Sequence, residues 1–212
     1  MAEDSDRLEE LGFFGKITAG VTHEMKNYLA LINEYNGLLC DLLMAHEMGR
    51  AELDLGRLKS LCGDIKRQVT VGGVVLDHLN GFAHSVDQPR QTVDLGRWLG
   101  LFVSLSRRHA ARQGVDLELE PLAQAISLTT QPFVLLRGLW QCLELALAGA
   151  AAGGRLSLGT EIADGQARLS LRGTSPDGPE QASGRPAELV LQALGASFSR
   201  QDDGCLRLCL PL

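Results

Sequence analysis

The chain has 212 residues, 45% of them hydrophobic and 22% charged, an ordinary balance for a globular protein of one large or two small domains. A formal net charge of −6 argues against a nucleic-acid binder, because no net basic field draws in a phosphate backbone. It still leaves room for an acidic protein partner met by a local basic patch.

No apolar run approaches the ~20 residues that a membrane span needs. The start, MAEDSDRLEE, is acidic and polar, unlike a signal peptide, so a cytoplasmic location is expected. Cys40, Cys62, Cys142, Cys205 and Cys209 form no CxxC pair and read as small apolar residues of a reducing compartment. Cys205 and Cys209 would share one face of a strand, which leaves a metal or redox pair conceivable.

In chain order, residues 6–85 read as two long helices. Leu11, Phe14, Ile17, Val21, Met25, Ile32, Leu39 and Leu43 recur at helical spacing, and so do Leu53, Leu58, Leu61, Ile65, Val69, Val75, Leu76 and Leu79. A soft break at His46-Glu47-Met48-Gly49-Arg50 makes them an antiparallel hairpin occupying residues 1–87. Such a hairpin cannot cover both its apolar stripes, so two copies are expected to pair as a dimeric four-helix bundle. Gly72-Gly73 weakens the second helix.

Asp87 to Gln91 reads as a linker, with Pro89 ending the helical run. Residues 92–212 then form a second domain. Helices are expected over 94–113, 132–150 and 185–194, and strands over 115–119, 125–129, 155–162 and 167–171. A closing hairpin of 196–200 with 205–210 turns at Asp202-Asp203-Gly204. Residues 173–184, rich in Gly, Pro and Ser, read as a loop. The class is therefore α+β, a helical hairpin followed by an α/β sandwich domain.

The chemically informative stretch runs from Lys16 to Ala30. At ~100° per residue, His23 lies well away from Val21 and Met25 and so off the apolar stripe. Asn27 rises one turn above it on the same face, and Glu24 flanks it. A carboxylate can orient an imidazole and accept its proton, leaving the other ring nitrogen nucleophilic, while an amide can position a phosphoryl group or a water. A lone surface histidine on a helix is otherwise simply solvated. A zinc-protease reading fails, because Asn27 stands where the second histidine ligand must be. His46, His78, His84 and His109 lack an equivalent setting, and Trp98 and Trp140 read as core anchors.

His23-Glu24-Met25-Lys26-Asn27, preceded by Ile17-Thr18-Ala19-Gly20 and followed by Leu29-Ala30, resembles the H-box of sensor histidine kinases. Thr92-Val93-Asp94-Leu95 resembles the opening of their ATP-binding domain, and Cys205 to Leu212 its closing strand. The resemblance implies that His23 is phosphorylated, Glu24 acts as base, and Asn27 helps dephosphorylate the partner receiver domain. Tyr28 stands where the family usually has proline, so the helix need not be kinked there.

The same resemblance exposes what is missing. The family's magnesium-holding helix is rich in asparagine, whereas Leu139 to Ala146 contains none; Glu144 could meet a metal but has no evident second oxygen ligand. The adenine-binding turn is replaced by Arg172-Gly173-Thr174-Ser175-Pro176-Asp177-Gly178, and the glycine lid by Ser183-Gly184-Arg185-Pro186-Ala187-Glu188. A degenerate ATP-binding domain behind an H-box hairpin resembles the dimeric histidine phosphotransferases of phosphorelays. It implies phosphoryl exchange between His23 and receiver-domain aspartates, with no nucleotide, no cofactor in this chain, and Mg2+ on the receiver. Lys16 and Lys26 could face an acidic receiver pocket. The alternatives are a divergent kinase that still uses ATP and a non-catalytic pseudokinase scaffold binding a response regulator.

Overall fold

A computed structural model describes residues 2–174 and 184–212, with side chains from residue 6 onward. The loop expected over 173–184, and the end of the altered adenine-turn segment with it, lie mostly outside the described residues.

Two helices make the N-terminal hairpin: α1 (Ala2–Glu47) and α2 (Leu55–Ala83). α1 runs unbroken through Tyr28, as expected where no proline interrupts the ladder. α2 begins at Asp54, whose carboxylate accepts the Arg57 backbone N–H at 2.9 Å. Gly72-Gly73 does not break it. The site of Gly72 is where α1 comes close, so that a Cβ there would meet Met25 Cε at 3.4 Å and Tyr28 Cδ2 at 3.5 Å. Gly73 faces open space. Gly73→Ala should therefore stabilise the fold by about 0.5–1 kcal/mol, read as a higher urea midpoint at unchanged m-value.

Burial along α1 is concentrated at Phe13, Ile17 and Val21, and along α2 at Leu61, Val75 and Phe82. Leu11, Leu43, Val69 and Leu76 stay exposed, so part of the expected apolar stripe is uncovered in the single chain, and Leu29 beside it is exposed too. Among the described residues, no helix is long and apolar enough to cross a membrane.

The second half is a two-layer α+β unit. Its five-stranded sheet has the order β2 (Asp116–Leu119), β4 (Arg155–Ala163), β5 (Gln166–Arg172), β7 (Leu206–Pro211), β6 (Ser197–Arg200). β2 and β4 are parallel and the other pairs antiparallel. Leu156, Leu158, Ala167, Leu169, Leu171, Leu206, Leu208 and Leu210 form its buried face. Helices α3 (Leu95–Arg112), α4 (Pro132–Gly149) and α5 (Glu188–Leu194) contribute the rest of this core. The β4–β5 hairpin turns through Asp164 and Gly165, both at positive φ, which suits the twist of a two-residue loop.

A second, two-stranded ribbon was not expected. β1 (Gln91–Asp94) pairs antiparallel with β3 (Ser127–Thr130). The segment 87–91, read from its proline as a linker, thus enters a strand at its last residue. Strand β1 is short and buries Val93 alone among its four residues, too little alternation to betray it. Asp94 ends it and caps α3 by accepting the Arg97 N–H at 3.0 Å. The C-terminal helix begins at Glu188, three residues later than expected, after Pro186.

Hairpin and α+β unit share one core. Phe13, Phe82, Phe133 and Trp140 pack ring against ring, with Phe13–Phe82 centroids 5.4 Å apart and edge-on, and Phe13–Trp140 at 5.5 Å. Gly81 lets α2 approach α3, since a Cβ there would lie 2.9 Å from Leu101 Cδ1.

Candidate functional site

This docking sets the first half of α1 against α3 and α4 and defines the site. His23 is exposed, and its Nε2 lies 3.2 Å from an Nη of Arg108, on the last turns of α3. A guanidinium only donates, so the imidazole accepts through Nε2 and carries its proton on Nδ1 in this contact. Below the histidine opens a cleft of about 530 Å³ lined by Lys16, Gly20, Leu105, Arg108, Arg112 and Trp140, among others. No carboxylate among the described residues pairs with Arg108 or Arg112.

Glu24 turns along its own helix, where its Oε1 accepts the Tyr28 hydroxyl at 2.5 Å. Burial, reinforced by that carboxylate, pushes the Tyr28 phenol up to about 12. No hydrogen bond joins Glu24 to the His23 ring among the described residues, so the ring's partner here is Arg108 in place of the adjacent acid. Asn27 and Lys26 are exposed one turn or less above His23. Lys16 stays exposed, with its Nζ 3.3 Å from Glu144 Oε1 and 5.8 Å from the centre of the Trp140 ring.

Glu144 is the residue that sequence left open as a metal ligand. It is bonded by His109 Nε2 at 3.2 Å as well as by Lys16. The His109 hydrogen bond, with the Lys16 ammonium nearby, holds its carboxyl below the usual range against the opposing effect of burial. One turn earlier on α4, Gln141 Oε1 accepts the Ala187 backbone N–H at 3.1 Å. One further turn back, buried Arg137 donates to Asp6, Glu9 and Glu10 of α1. A cleft of about 560 Å³ between α1, α4 and the segment before α5 is edged by these same groups. Each polar side chain on this stripe of α4 is therefore already partnered from within the chain.

Sequence reading missed Arg108, His109 and Arg137 as site-forming residues. Arg107-Arg108-His109 with Arg112 is a basic run at the end of a helix, where cations are favoured by the dipole alone, so the run did not stand out. Arg137 was a legible signal: it is a lone charge inside the apolar stretch Leu135-Leu136-Arg137-Gly138-Leu139.

No protein-family model matches the sequence. No curated protein matches it either. Solved structures do resemble the fold. The catalytic domain of histidine kinase ThkA is 12% identical over 58% of this chain and 97% of its own, with a TM-score of 0.47. The Acinetobacter baumannii histidine kinase AdeS is 14% identical over 84% of this chain and 94% of its own, at 0.43. Histidine kinase ThkA in complex with the response regulator protein TrrA is 14% identical over 99% of this chain and 65% of its own, at 0.47.

Proposed function

We propose that this chain is a histidine phosphotransferase of a two-component phosphorelay, moving phosphoryl groups between His23 and receiver-domain aspartates without ATP. The observation that carries this reading is the self-satisfied face of α4. Arg137, Gln141 and Glu144 spend their hydrogen bonds on α1, His109 and the Ala187 amide. A nucleotide phosphate or its metal on this face would have to displace these partners, which supports a reading without ATP. His23, by contrast, is open to a partner.

In the forward step, Nε2 attacks the phosphorus of a receiver acyl phosphate. The N–P bond forms, the P–O bond breaks, the aspartate leaves as carboxylate, and Nδ1 releases its proton. The reverse step returns the group to a second receiver. Both linkages are high-energy, so catalysis is chiefly positioning and electrostatics, with Mg2+ brought by the receiver. Glu24 can take the Nδ1 proton after a rotation away from Tyr28, and Asn27 positions the incoming group. Lys26 is exposed, in a position to meet an acidic receiver surface. Exposed Leu29, Leu43, Val69 and Leu76 support a homodimeric four-helix bundle, since a second hairpin would cover them.

The full chain should be incubated with labelled ATP and, separately, with a phosphorylated receiver domain. Label is expected from the receiver and not from ATP, and its loss in His23→Ala locates it. Label from ATP would make the chain a kinase. Tight receiver binding without label, surviving His23→Ala, would make it a scaffold.

A further inference from the structure

The contact between His23 and Arg108 joins residues 85 positions apart, on two different halves of the chain. It also points the guanidinium at the nitrogen that, on the relay reading, must be the nucleophile. We propose that Arg108 is the phosphoryl clamp of His23. Its guanidinium holds the Nε2 lone pair in the resting protein and transfers to the phosphoryl oxygens once Nε2 carries the group, with Arg112 as the second cation of that site. The inference rests on the relay reading for the source of the phosphoryl group, but its chemistry can be tested without a receiver.

Three features support it. First, a neutral imidazole is a modest acceptor for a guanidinium, whereas a phosphoryl dianion offers three strong oxygens in its fork geometry. Phosphorylation at Nε2 would thus upgrade the partner of Arg108. Second, the space is there: the cleft of about 530 Å³ begins at His23 and runs past Arg108 to Arg112. Third, the charge there is unspent. Lys16 and His109 are engaged by Glu144, but Arg108 and Arg112 have no acidic partner among the described residues.

The clamp has a kinetic consequence. Hydrolysis of phosphohistidine proceeds through a loose, metaphosphate-like transition state in which the phosphoryl dianion loses charge as the P–N bond breaks, Nε2 keeps the bonding pair, and a proton on Nδ1 lets the ring leave as neutral imidazole. A guanidinium on the oxygens favours the ground state over that transition state and disfavours ring protonation. Arg108 would therefore lengthen the life of phosphohistidine and draw the equilibrium with the aspartyl phosphate toward His23.

Two measurements on the full chain decide the matter. Ring 15N NMR above the imidazole titration range should show His23 as the Nδ1–H tautomer. In Arg108→Ala and Arg108→Gln it should revert to the Nε2–H form favoured in water, and Arg108→Lys should restore it in part. Next, potassium phosphoramidate phosphorylates His23 with no receiver present, and the Arg108 Nε–H resonance of the wild-type protein should shift on phosphorylation. The phosphohistidine half-life should fall about three- to tenfold in Arg108→Ala, the range of one charge-assisted hydrogen bond discounted for a half-exposed site. Arg112→Ala should shorten it less and leave the tautomer unchanged. An unmoved Arg108 resonance, or wild-type tautomer and half-life in Arg108→Ala, overturns the clamp. Normal clamping with no transfer from any phosphorylated receiver would instead sink the relay reading and leave the clamp standing.

Discussion

Phe82→Ala should cost about 3–5 kcal/mol, the usual range for emptying a fully buried phenylalanine site. Phe82 is 1% exposed in the last turn of α2. Its ring stacks on Phe14 at 5.2 Å, meets Phe13 edge-on at 5.4 Å and lies 6.2 Å from Phe133 at the start of α4. The three neighbours come from both sides of the junction between hairpin and α+β unit, so the cavity cannot collapse by moving one element alone. Loss of the ring should therefore lower the urea midpoint and loosen the docking that carries Arg108 to His23. The NMR tautomer readout described above would then shift toward Nε2–H even though residue 82 touches neither group. Phe82→Leu, which keeps most of the volume, should recover more than half of the stability. A cost below about 1 kcal/mol for the alanine variant would mean that the junction contributes little to the fold.

Much of this architecture could be read from periodicity. The two long helices, the strand–strand hairpin at Asp164-Gly165 and the proline-started α4 follow from apolar spacing and turn chemistry that act within a few residues. The exposure of His23 followed from helix geometry as well. What escaped depends on long-range placement. Strand β1 exists because Val93 finds Leu128 across the ribbon, a pairing no local pattern announces. The polar partners of the site escaped for the same reason. Glu24 looked like the neighbour of His23 along the chain, yet Tyr28 one turn away offers its hydroxyl, and Arg108 arrives from another domain half. Lys16 looked solvated from its helix position and remains so, but Glu144 of α4 pairs with it across the junction. Sequence spacing therefore located the nucleophile candidate, and only the docking of α3 and α4 on α1 supplied its electrostatic surroundings.

The ion cluster at Arg137 should show a marked asymmetry between its two sides. The guanidinium is 5% exposed, while Asp6 and Glu10 are 28% and 38% exposed on the first turns of α1. Those carboxylates are comfortable without the arginine, because they are partly hydrated and sit at the positive end of the helix dipole. Arg137 has no such alternative: stripped of its acids it is a buried cation in an apolar setting, although burial alone is offset at present by Asp6, Glu10 and Glu9. Neutralising the acids together (Asp6→Asn, Glu9→Gln, Glu10→Gln) should cost about 2–4 kcal/mol, toward the lower part of the range for breaking a buried pair since the partners are half in water. Arg137→Met should cost about 1 kcal/mol or less, because it removes the buried charge and keeps the volume. Acid should act like the triple variant. The Arg137 hydrogen bond holds the Asp6 carboxyl below its ordinary 3.8, and that of His109 holds Glu144 below 4.5. A lowered folded-state value means that stabilisation is complete above the ordinary value and is lost as pH falls through the folded one. Chemical denaturation at a series of pH values should thus show a steep acid limb beginning near the ordinary carboxylate values. That limb should be shallower in Arg137→Met, which removes the Asp6 contribution and leaves that of Glu144. If the methionine variant proves as damaging as the neutralised acids, Arg137 stabilises the junction through its own packing and not by relieving a buried charge.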